Sequence, residues 1–149
     1  MDTEPAAQFR SLVLRLSRYL NATATDQGLT PTQASVLGII GARGPIGLGE
    51  LAEIEGVNPT MLSRVVGKLD ELGLLERTPD PDDLRTASVR LTARGASRHQ
   101  RIRRDRTKIL ARCLDRLPKD ARDRFIEALP VLESLAAELK AEATGTKRS

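Results

Sequence analysis

Residues 58–68 hold the side chains best suited to a recognisable chemistry. Asparagine at 58 offers a side-chain acceptor to the free amides of a helix start, and Pro59 fits the first helical position, where no amide donor is needed. Spacing of three and four then divides the following helix into two stripes, Leu62, Val65, Val66 and Leu69 on one and Thr60, Ser63, Arg64, Gly67 and Lys68 on the other. The second stripe is small and polar with two cations, without the glutamate-rich mixture of an idle solvated surface. Such a ridge suits the major groove of duplex DNA. Gly67 permits close approach, Arg64 has the reach for a guanine edge or a phosphate, and Lys68 suits a phosphate. The competing reading is a helix with two exposed, unoccupied cations.

A second candidate group is Asp83, Leu84 and Arg85, which follow Pro79-Asp80-Pro81-Asp82. A two-stranded ribbon tipped by these residues can bring a guanidinium to the narrow, negative minor groove, with Asp83 orienting Arg85. Asp80 and Asp82 repel phosphate and read as a solvated turn.

The elements that must position these groups follow from periodicity. Residues 9–20 read as an amphipathic first helix through Phe9, Leu12, Val13, Leu16, Tyr19 and Leu20. Residues 21–28 read as a connection. Thr30-Pro31-Thr32-Gln33 forms a capping box, which opens a second helix that ends near residues 41–44 and buries Val36, Leu37 and Ile40. A short third helix over residues 47–55 is broken by Gly56 and Val57, and the fourth helix runs from Asn58 to a stop at Gly73. Residues 74–78 and 87–91 then read as a β-hairpin with one apolar face. Thr92 caps a long fifth helix, Pro118 interrupts it, and a sixth helix carries Phe125, Leu129, Leu132, Leu135 and Leu139. Pro130 is expected to bend or split that sixth helix.

The fold class expected is therefore mainly α with a small β-hairpin wing. Residues 29–92 make a winged helix-turn-helix lobe, and residues 1–28 and 93–149 make a helical dimerisation region. Two short helices joined by a glycine-containing turn are the arrangement that presents a helix to a groove.

Bulk composition agrees. The chain has 149 residues, a formal net charge of +4 and an aromatic content of 2% with no tryptophan, so its core must be aliphatic, which suits packed helices. The basic balance fits a polyanionic partner. Residues 1–10 lack the pattern of a secretory signal and no apolar run reaches bilayer length, so the expectation is a cytoplasmic protein with no membrane partner. Enzymatic function is disfavoured by one histidine, one cysteine and the lack of a glycine-rich phosphate loop, and no cofactor or metal is expected. A winged module that binds protein rather than DNA would expose aromatic or aliphatic anchors in place of Thr60, Ser63, Arg64 and Lys68.

The order of these features, from Thr30-Pro31-Thr32-Gln33 through Glu50-Leu51-Ala52, Val57-Asn58-Pro59-Thr60-Met61-Leu62-Ser63-Arg64 and residues 69–77 to Asp83-Leu84-Arg85 and Leu91-Thr92-Ala93-Arg94-Gly95, resembles the multiple antibiotic resistance regulator (MarR) family. The resemblance implies a sequence-specific transcriptional regulator acting as a homodimer on a pseudo-palindromic operator. Family members usually repress nearby genes, and many release DNA on binding a small phenolic or otherwise amphipathic effector. The candidate DNA-binding set is then Thr32, Asn58, Pro59, Thr60, Met61, Ser63, Arg64, Lys68, Asp83, Arg85 and Thr86. Two departures bear on the third helix: Glu55 stands where an apolar residue is preferred, and Gly47 replaces the usual hydroxyl cap. The scarcity of aromatic residues leaves the family's ligand pocket undefined.

Phe9, Leu12, Leu16, Leu117, Phe125, Leu129, Leu132 and Leu135 lie outside the winged lobe and are the expected dimerisation residues. Arg94 and Arg98 are the fifth-helix cations nearest the wing, with a phosphate contact as the less favoured reading. Cys113 is expected in the core, in step with Ile109 and Leu117, and His99 at the surface or in packing.

Overall fold

The computed structural model describes residues 2–22, 28–79 and 87–145. In chain order the elements are α1 (Thr3–Ala22), α2 (Pro31–Arg43), β1 (Ile46–Gly47), α3 (Leu48–Glu55), α4 (Pro59–Glu71), β2 (Leu75–Thr78), β3 (Ser88–Leu91), α5 (Ala93–Asp115) and α6 (Lys119–Gly145). The chain divides into a unit of residues 1–106 and a unit of residues 107–149. Among the described residues, no helix is long and apolar enough to cross a membrane.

In the first unit the core is aliphatic. Val36, Leu37 and Ile40 of α2, Leu51 of α3, Leu62, Val66 and Leu69 of α4, Leu75 of β2, Val89 of β3 and Ile102 of α5 are all buried. Each buried leucine or valine is worth roughly 1.5–3 kcal/mol of transfer free energy, so these side chains decide how the helices are turned. The start of α2 is set by sequence as expected: Gln33 N donates to Thr30 Oγ1 at 3.2 Å and Thr30 N donates to Gln33 Oε1 at 3.0 Å.

The sheet has three strands rather than two. Its order is β1-β3-β2, with Ile46 opposite Val89 and Gly47 opposite Ser88 on one side of β3, and Leu75 opposite Leu91 and Arg77 opposite Val89 on the other. All pairs are antiparallel. The extra strand is only two residues long, and it places Ile46 in the core.

Glu55 did not spoil α3. Ser35 Oγ of α2 donates to Glu55 Oε2 at 2.7 Å, so the carboxylate is satisfied by the neighbouring helix, while Leu51 and Ala52 supply the buried face. Gly47 at the N-cap makes no side-chain hydrogen bond there.

The junction between α4, β2 and α5 is tied by a single hydroxyl. Thr92 Oγ1 donates to Gly73 O at 2.6 Å and accepts from Gly95 N at 3.0 Å, while Thr92 N donates to Leu74 O at 3.1 Å. Gly73 has φ +73°, the left-handed conformation that glycine adopts without strain. Gly95 is required for another reason: a Cβ built there would stand 1.8 Å from Leu74 O.

α1 begins at Thr3, six residues before the apolar periodicity starts, because Asp2 Oδ1 accepts from Glu4 N at 3.1 Å and opens a polar first turn. None of its residues is fully buried. Phe9 is half-buried, and Leu12, Leu16 and Tyr19 are exposed.

In the second unit, the last turns of α5 are followed by the break at Pro118 and by α6. α6 runs through Pro130 without a split, and Ser134 Oγ donates to the Pro130 carbonyl at 3.1 Å. Lys119 and Asp123 pair at 2.6 Å in its first turns. No α6 residue is buried: Leu129, Val131, Leu135 and Leu139 are exposed, and Phe125 and Leu132 are half-buried. Cys113, expected in the core, is exposed on the single chain. Helical spacing placed it on an apolar face, and that face is not covered.

His99 of α5 lies against the two glycines of α2. Its Cε1 is 3.6 Å from the position a Cβ would take at Gly38, and its Cδ2 is 2.8 Å from that position at Gly41. Burial, and after it the charges of Arg103 and Arg106, hold the imidazole below the ordinary histidine range.

Two expectations follow from this packing. Gly95→Ala forces its methyl group into the Leu74 carbonyl and should cost on the order of 3 kcal/mol or more, read as a lowered midpoint in urea denaturation. His99 binds its proton more weakly folded than unfolded, so its contribution to stability is complete above about pH 6.5 and is lost as the pH falls through its depressed folded value. The denaturation free energy of His99→Gln should therefore fall less than that of the parent between about pH 7 and pH 5.

Candidate nucleic-acid interface

α3 ends on Gly56, whose left-handed conformation (φ 73°, ψ 32°) turns the chain, with Gly56 N and Val57 N both donating to Ala52 O. Two residues later Asn58 Oδ1 accepts from Met61 N at 2.8 Å, and Pro59 occupies the first position of α4. Both signals were legible in the residues, and they fix where α4 begins.

Burial then decides which way α4 faces. Leu62, Val66 and Leu69 are at or below 2% exposure and Val65 is half-buried, so the opposite stripe must point outward. Thr60, Met61, Ser63, Arg64 and Lys68 are exposed, with Gly67 half-exposed between them. Arg64 makes no hydrogen bond or ion pair among the described residues. Lys68 Nζ lies 3.7 Å from Glu71 Oε2, an exposed contact that is worth little in water.

Thr32 lies in the first turn of α2 and is half-buried, on a different element from the α4 ridge. Asp83, Arg85 and Thr86, and with them Asp80 and Asp82, lie outside the described residues. The structure thus brings Thr60, Met61, Ser63, Arg64 and Lys68 onto one open surface behind the Asn58-Pro59 start.

Arg94 is exposed, with Nη1 3.9 Å from the position of a Cβ at Gly73. Arg98 is half-buried, and its Nη2 is 3.5 Å from the corresponding position at Gly28, so its guanidinium is turned toward its own chain.

One cation was missed by the sequence reading. Arg77 of β2 places Nη2 3.9 Å from the position of a Cβ at Gly67, and its Nε lies 3.9 Å from Asp70 Oδ2 on α4. The available signal was strand alternation, which puts Arg77 on the same face of β2 as the buried Leu75 and so toward α4.

Comparison with known proteins agrees with this geometry. The sequence profile of the MarR family matches residues 29–87. Over 137 residues, covering 92% of this chain and 96% of the relative, the chain is 31% identical to the helix-turn-helix-type transcriptional regulator Mb0904 of Mycobacterium bovis. The crystal structure of Rv1404 from Mycobacterium tuberculosis superposes with a TM-score of 0.69 at 26% identity, covering 90% of this chain and 94% of that one. A Staphylococcus aureus MepR variant bound to an oligodeoxyribonucleotide shares the fold, with a TM-score of 0.63 at 17% identity, covering 90% of this chain and 99% of that one. A three-stranded winged sheet, a capped helix with an open cationic ridge, and a regulator alike over nearly its whole length lead to one assignment: the chain belongs to the MarR family of DNA-binding transcriptional regulators, which are not enzymes.

Proposed function

We propose that this regulator is a cytoplasmic repressor that binds a pseudo-palindromic operator as a homodimer, with α4 of each protomer in the major groove. The observation that carries the reading is the outward ridge of Thr60, Ser63, Arg64 and Lys68, fixed in direction by Leu62, Val66 and Leu69 behind it. In this reading Arg64 makes the sequence-dependent contact, Lys68 neutralises phosphate, and Asn58, Pro59 and Met61 bring the start of α4 to the duplex. Thr32 adds a contact from the start of α2. Asp83, Arg85 and Thr86 would take the wing to the adjacent minor groove.

Dimerisation is supported by apolar side chains that the single chain leaves open. Leu12 and Leu16 of α1, Leu117, and Leu129 and Leu135 of α6 are all exposed, and Phe9, Phe125 and Leu132 are half-buried. A second copy covers such faces without any new residue type, and a two-fold pair of recognition helices would meet successive major grooves when spaced about 34 Å apart, one turn of DNA. Residues 1–28 and 93–149 would form this dimerisation region, and residues 29–92 the DNA-binding lobe. Repression follows from occupancy of a promoter, and release by a small phenolic or amphipathic effector follows the family habit. The MepR variant crystallised with an oligodeoxyribonucleotide supports duplex binding by this fold.

Selection of bound fragments from random duplexes should return a two-fold symmetric consensus. On that duplex Arg64→Ala should cost about 1–3 kcal/mol and relax the preference at one base pair, whereas Lys68→Ala should weaken all duplexes alike. Unchanged binding by both variants removes the site assignment. Leu129→Glu combined with Leu135→Glu should convert the dimer to monomer in analytical ultracentrifugation and weaken operator binding; a persisting dimer removes α6 from the interface.

A further inference from the structure

The two arginines on neighbouring positions of the sheet are held differently. Arg90 of β3 puts Nε 2.6 Å from Oε1 of Glu76, its register partner on β2, so its charge is already met. Arg77 faces the other side of β2 and reaches α4, where its charged contact among the described residues is Asp70 at 3.9 Å, with both side chains about half exposed. That separation is too long for a hydrogen bond, and an exposed pair at this distance leaves most of the guanidinium's donors uncommitted.

Position decides what those donors can reach. Gly67 is three residues beyond Arg64 and four beyond Ser63, so it belongs to the ridge itself. The Arg77 guanidinium lies beside that glycine, in van der Waals reach of the position a Cβ would take there. It is therefore at the ridge, although it comes from a different element.

Resting on the reading that α4 enters duplex DNA, we propose that Arg77 is a further DNA-backbone residue, a cation delivered by the sheet to the edge of the α4 ridge, where a phosphate displaces Asp70 as its partner. A phosphodiester offers the planar guanidinium two acceptors and full charge, which the distant carboxylate does not. Asp70 is then a resting counter-charge that holds the side chain over Gly67 until DNA arrives.

The test uses the full chain, the duplex obtained by selection and a scrambled duplex, with affinity measured across a salt series. Arg77→Ala and Arg77→Gln should each weaken both duplexes by a similar factor, about 10-fold at low salt. They should also reduce the magnitude of the slope of log K against log salt by about 0.9, the contribution of one phosphate contact. Asp70→Asn should tighten binding, and by more in the parent than in Arg77→Ala. Arg77→Gln keeps the side-chain stem and a donor for Asp70, so it carries the measurement if alanine unsettles the fold. An unchanged slope in folded Arg77→Gln overturns the proposal, as does a loss confined to the selected duplex, which would mark a base contact. A parent chain that binds no duplex overturns the underlying reading instead, so the two failures are distinguishable.

Discussion

The arrangement depends on the inward face of α4. Leu62, Val66 and Leu69 are sealed into the same aliphatic core as Val36, Leu37, Leu51 and Val89, and a helix fixed on one side by such contacts cannot rotate about its axis. A rotation that exposed even one of these leucines would cost several times the thermal energy. The polar ridge is consequently rigid in direction although Thr60, Ser63, Arg64 and Lys68 are all exposed at the surface. That combination of a fixed helix with mobile tips suits reading a groove, because the helix sets the register while individual side chains adjust to bases and phosphates.

The same core links the ridge to the rest of the lobe through small, local devices. Asn58 fixes where α4 starts, Gly56 sets the turn before it, and Ser35 with Glu55 ties α3 to α2. Thr92 and Gly95 bring the start of α5 against the backbone that leaves α4, at a distance no side chain at 95 would allow. These contacts involve few residues, and most of them satisfy a backbone group that would otherwise lose its partner on burial.

Much of this was legible in the residues because it is local. Hydroxyl and amide caps followed by proline announced α2 and α4, and the three-and-four spacing of Leu62, Val65, Val66 and Leu69 gave the facing of the ridge. What escaped needed a partner distant in sequence. The two residues of β1 have no detectable period and exist as a strand only because β3 is beside them. Glu55 looked misplaced until Ser35 supplied a donor twenty positions away. The early start of α1 was overlooked because its first turn is polar and leaves no apolar stripe, although Asp2, Glu4 and Pro5 are residue types suited to a helix start. Cys113 shows the converse: periodicity identifies a face, and it says nothing about whether anything lies against it. Arg77 was hidden because its placement beside Gly67 and Asp70 depends on another element.

The hydroxyl of Thr92, held between the Gly73 carbonyl and the Gly95 amide, closes the ribbon at its base. Once the two ends of a chain segment are pinned, lengthening it costs only logarithmically, about 0.6 kcal/mol for each doubling. A change of chain length between β2 and β3 therefore carries a small entropic cost while the pinned base stays in place. In the proposed DNA complex, operator preference would have two separately adjustable parts, one locked to the hydrophobic interior and one paid out like line from a fixed cleat.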